Sequence, residues 1–139
     1  MHTTNYFNTL IEIAEDCDAT SGRVPPVRGD KKSIANLQFE MISEQPYEFT
    51  SDDVLFSVFA TRKEIPANDW NEQRALFFSK GQACLRASPL TKQYGWGVHS
   101  NAEGKIALYG VESTEYQRLV ADEAVVKKKA MRSKKASKP

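Results

Sequence analysis

The stretch from Tyr94 to Val111, YGWGVHSNAEGKIALYGV, constrains the fold more than any other part of the chain. Two alternating segments flank Asn101-Ala102-Glu103-Gly104, and Gly104 supplies the left-handed conformation that a short hairpin loop with a bulge requires. Pairing Asn101 with Lys105 sets Ser100 opposite Ile106, Val98 opposite Leu108 and Trp96 opposite Gly110. Trp96, Val98, Ile106 and Leu108 then share one face, a coherent core face that a one-residue slip would scatter. The other face carries Gly95, Gly97, His99, Ala107 and Tyr109. A face with side chains that small admits either a closely packed helix or a ligand lying on backbone.

The remaining elements follow from periodicity and punctuation. Alternation of Phe7, Thr9, Ile11 and Ile13 with their neighbours predicts a strand over residues 7 to 15. Ser21-Gly22, Pro25-Pro26 and Gly29 break regular structure from Cys17 to Lys32, so this long connection either wraps the domain or moves at a site. Its Arg28-Gly29-Asp30 tripeptide is read as chance. Ser33 caps a helix with Ile34, Leu37, Met41 and Ile42 on one side. Thr50 with Asp53 forms a capping-box variant before a second helix, in which Val54, Leu55, Val58 and Phe59 make the buried stripe and Phe56 flanks it. A third helix starts at Asn68 or Asp69, carries Trp70, Arg74, Phe77 and Phe78, and leaves through Gly81. Residues 82 to 88 alternate weakly and suggest an edge strand ending at Pro89. Ser113 or Thr114 caps a last helix, which can run through Val125 and Val126 into the C-terminal tail. The order predicts an α+β domain: a small antiparallel sheet, made of the N-terminal strand and the C-terminal hairpin, with about four helices on one face. Residues 1–122 are expected to form this domain, and 123–139 a basic tail with a helical extension.

At 139 residues the chain is of single-domain length. No apolar run approaches the ~20 residues that span a bilayer. The N-terminus has neither the basic lead nor the apolar stretch of a signal peptide, and two distant cysteines, Cys17 and Cys84, make no disulfide framework. A cytoplasmic location is therefore expected. The net charge of +1 conceals a dipole. Lys127 to Lys138 holds seven positive charges and no acidic residue, which leaves twelve basic against eighteen acidic residues in the body.

Candidate functional residues cluster before and within the hairpin. Arg86 offers a fork for phosphate or carboxylate, Lys92 a point charge, and Ser88 and Tyr94 hydroxyl donors. Tyr94 and Trp96 offer a stacking wall, and Tyr109 completes the ligand-binding set. His99 is the natural acid–base candidate, with Cys84 as a nucleophile whose pKa Arg86 would lower. Only His2 accompanies His99, and the cysteines lie at no short ligand spacing, so no metal or cofactor is expected. No phosphate-loop or dinucleotide glycine pattern is present. In the tail, Lys127, Lys128, Lys129, Arg132, Lys134 and Lys135 form the nucleic-acid alternative, although no aromatic residue interleaves them.

His2-Thr3-Thr4-Asn5-Tyr6-Phe7, Ala35-Asn36-Leu37-Gln38, Ser51-Asp52-Asp53-Val54-Leu55-Phe56, Phe78-Ser79-Lys80-Gly81-Gln82, and Leu85-Arg86 through Tyr94-Gly95-Trp96-Gly97 together resemble a bacterial family known only as a domain of unknown function. The resemblance covers nearly the whole chain and implies a small cytoplasmic bacterial protein, with no activity or catalytic residues to transfer. The leading expectation is a module that binds an anionic small molecule or partner through residues 82–99. A nucleic-acid-associated protein using the tail comes second, and a small enzyme using His99 third.

Overall fold

The computed structural model describes residues 1–133. Its fold is α+β, with a four-stranded mixed sheet. Strand β1 (Thr9–Glu12) is central and pairs antiparallel with the inner hairpin strand β2 (Trp96–Ser100), which pairs antiparallel with β3 (Ile106–Gly110). The hairpin register is the one read from its side chains, with Val98 opposite Leu108 and Trp96 opposite Gly110. Gly104 takes a φ of +81° at the turn, a conformation open to glycine at little cost.

Helix α1 (Ile34–Glu44) begins at Ser33 and α2 (Ser51–Arg62) at Thr50, each with a reciprocal capping box. Two orphan N–H groups are satisfied at each start. Side chains from α1, α2 and the hairpin close the main core, which holds Ile11, Ile42, Val54, Val98 and Ile106. A second cluster is aromatic and centres on Phe56 and Phe78, with Phe59, Trp70 and Phe77 packed around it. Helix α2 is wedged between the two clusters: Val54 and Val58 serve the first, Phe56 and Ala60 the second. Phe56, expected only to flank the buried stripe, is 1% exposed. Helix α3 (Trp70–Phe77) adds Arg74, whose Nη1 lies 2.9 Å from Asp53 Oδ1 and whose guanidinium sits over the Phe78 ring.

Four sequence expectations are corrected. Residues 82–88 are not a strand: a 3-10 turn (Leu85–Ala87) leads into a single helical turn, α4 (Pro89–Lys92), capped by Ser88. Proline at the first helical position starts this turn rather than ending a strand. The last helix, α5 (Thr114–Ala121), does not extend into the basic residues. Instead Val126–Lys129 forms β4, which runs parallel to β1 at the sheet edge, so the sheet is mixed rather than antiparallel. Val125 and Ala130 are buried on either side of it, and the Val126 and Ala130 N–H groups donate to Asn8 and Glu12 carbonyls. Finally, the helices are not confined to one face. Because β3 and β4 are parallel strands at opposite edges, α5 must cross β2 and β1, and it does so over Gly97.

The long connection after β1 wraps the domain. Arg23 N–H donates to Tyr94 O, Trp96 Nε1 to Arg23 O, and the buried Asn36 amide to Pro25 O.

Candidate functional site

The glycine-lined face of the hairpin is filled from above. A Cβ on Gly97 would lie 2.5 Å from Cε2 of Tyr116. The Tyr116 hydroxyl in turn accepts from Ile13 N–H at 3.1 Å. Of the two occupants that this face admits, the helix is the one present.

Beyond Gly97 the same face carries a polar network. Tyr47 Oη lies 2.8 Å from Nδ1 of His99 and 2.8 Å from Tyr109 Oη. With His99 neutral and Nδ1 unprotonated, Tyr47 donates to the imidazole and accepts from Tyr109. Burial lowers the His99 pKa, opposed by the charge of Asp122, and burial with the Tyr109 hydrogen bond raises that of Tyr47. Tyr47 is held at φ +59° while its N–H donates to Ile106 O. Such a conformation costs a non-glycine residue about 1–3 kcal/mol and persists only where the surroundings enforce it. Tyr47 was not among the sequence candidates, because nothing in Pro46-Tyr47-Glu48 announces a residue that reaches round a strand edge.

Cys84 belongs to another neighbourhood. Its Sγ lies 3.5 Å from Tyr6 Oη, while the imidazole of His99 is engaged by Tyr47. Arg86 is tied to the edge strand: Nε donates to Lys129 O at 2.6 Å, and Arg86 O accepts from Met131 N–H. Ser88 is 4% exposed and donates to Gln38 Oε1 at 2.5 Å. Trp96 packs on Phe39 with ring centroids 5.4 Å apart.

Lys92 and Tyr94 do meet a cleft. A cavity of about 690 Å³ opens between the wrapping loop and the end of α4, lined by Asp16, Cys17, Asp18, Arg23, Pro26, Arg28, Lys92, Gln93, Tyr94 and Ser133. Asp16 accepts from Ser133 N–H at 2.9 Å, and Asp18 lies 3.8 Å from Arg23. Among the described residues, neither Arg28 nor Lys92 forms an ion pair. Arg23 and Arg28 were missing from the sequence candidates. The only signal for them was the length of the loop that carries them.

The basic segment is divided by its strand geometry. Lys127 folds its ammonium back onto the Asp122 and Val125 carbonyls. Lys128 points to the opposite face from Lys127 and Lys129, by the alternation of a strand. Arg132 pairs with Glu15 at 3.3 Å. Lys134 and Lys135 lie outside the described residues. Among the described residues, no group of three or more His, Cys, Asp or Glu side chains is gathered as a metal would need, and no helix is long and apolar enough to cross a membrane.

No curated protein and no solved structure matches the chain. A family model does match, over residues 1–136, and the chain belongs to that family, described as a family of unknown function (DUF6157).

Proposed function

We propose that the protein is a binding module that takes a small polyanion in the cleft between the wrapping loop and the Lys92–Tyr94 turn. One observation carries this reading: Arg28 and Lys92 line a common cavity, and neither forms an ion pair with a carboxylate among the described residues. The two carboxylates on the same wall have partners already, Asp16 in Ser133 N–H and Asp18 in Arg23. Arginine presents a planar fork that suits phosphate or carboxylate, lysine a compact charge, and the Tyr94 hydroxyl a further donor. At about 690 Å³ the space falls within the roughly 300–1,000 Å³ of small-molecule sites. Two free thiols suit a reducing compartment. We therefore place the module in the cytoplasm, and in a bacterial cell, as the family resemblance implies.

Thermal unfolding at low salt tests this against phosphate, pyrophosphate, citrate and nucleoside mono- and diphosphates. At least one anion is expected to raise Tm, since a ligand at 100 times its Kd adds about 2.7 kcal/mol. Arg28→Ala or Lys92→Ala should reduce the rise and the double variant abolish it, whereas Arg86→Ala should retain it. No rise with any anion, or an equal rise in the double variant, would overturn the reading.

A further inference from the structure

We infer that a second, smaller cavity binds a small apolar carboxylic acid through the side-chain amide of Gln38 and the guanidinium of Arg62. The cavity, of about 200 Å³, lies where the two core clusters meet, with Leu55, Val58, Phe59 and Phe77 among its walls. Gln38 lines it although it is only 3% exposed. Its Oε1 accepts from Ser88 Oγ, and its Nε2 has no partner among the described residues.

The orientation of that amide follows from its neighbour. Ser88 Oγ already accepts from Leu90 N–H at 3.1 Å, so its own proton needs an acceptor. Gln38 Oε1 provides one, which leaves Nε2 as the unused donor of the amide. Every fully enclosed side-chain N or O among the described residues is satisfied, so Nε2 retains some accessible surface, and the cavity is the space that Gln38 lines. A donor left open in an apolar wall is costly until something accepts from it.

Arg62 also lines this cavity, is exposed, and has no ion pair among the described residues. One donor at the wall and one cation at the rim are what a carboxylate recognises, while the aliphatic and aromatic walls suit an apolar body. The volume lies below the roughly 300 Å³ at which drug-sized sites begin, so that body is small.

Octanoate is a suitable probe, titrated into the full chain by calorimetry, with octanol and acetate as comparisons. Saturable one-to-one binding of octanoate is expected, with octanol weaker and acetate silent. Gln38→Glu keeps an acceptor for Ser88 and replaces the donor by an acceptor; it should weaken octanoate about tenfold or more. Arg62→Gln, which leaves the interior untouched, should also weaken octanoate, and Lys92→Ala should leave it unchanged. The inference is overturned by absence of saturable octanoate binding, by octanol binding as tightly, by unchanged affinity in both cavity variants, or by equal loss in Lys92→Ala.

Discussion

Gly97 shows how one missing side chain can determine a packing layer. The Tyr116 ring occupies the space a Cβ would need, and its hydroxyl satisfies Ile13 N–H behind it. Gly97→Ala should cost about 1–3 kcal/mol in chemical denaturation, as overpacking does. Tyr116→Phe should cost about 1 kcal/mol through the lost hydrogen bond. A neutral Gly97→Ala would show that α5 does not rest on this strand. The need for a small residue there was legible in the alternation of Gly95, Gly97, His99 and Ala107, but the identity of the occupant was not, because Tyr116 is remote in sequence. His99 allows a second test at this scale. Burial holds its folded pKa below the ordinary value near 6.5, with Asp122 opposing. The unfolded chain therefore binds the proton more readily than the folded one. Stability is complete above about pH 6.5 and falls as pH drops through that value toward the lower folded pKa. His99→Gln should flatten this part of the stability profile measured by denaturation from pH 5 to 8, and an unchanged slope would contradict the assignment.

Among the elements, β4 departs furthest from sequence expectation. Val126-Lys-Lys-Lys has no apolar alternation, and Val126 itself is 50% exposed. Its strand character comes from backbone pairing with β1, anchored by buried Val125 and Ala130 on either side. A run of lysines also discourages further strand addition at an exposed edge. Arg86 fastens the end of this strand through Lys129 O. Arg86→Ala should therefore speed amide exchange at Val126 and Ala130, cost about 1 kcal/mol, and leave the hairpin amides protected. Equal loss of protection in both regions would mean that β4 and the hairpin unfold as one unit. The hairpin, by contrast, was readable down to its register, since two-residue periodicity and a buried face specify it. The start of α4 was also written in the chain as Ser88-Pro89, a cap followed by proline, and reading that proline as a stop concealed it.

For the whole molecule, the sheet separates two regions of different chemistry. One side joins to the helices through the main core; the other holds α5 and the Tyr47–His99–Tyr109 network. Two clefts lie around the wrapping loop and α2, while the glycine face, which the sequence left open to a helix or a ligand, is packed by Tyr116 of α5. Lys92 and Tyr94, singled out in the sequence beside the hairpin, line one cleft, whereas the placement of Arg28 and Gln38 at cavity walls depends on tertiary structure that no local pattern encodes. Chemical-shift mapping of the whole chain with a polyanion such as pyrophosphate tests the central claim most directly. Saturable shifts should concentrate at residues 16–28 and 92–94 and vanish in the Arg28→Ala, Lys92→Ala double variant. Shifts confined to Lys127–Arg132, or none, would contradict it.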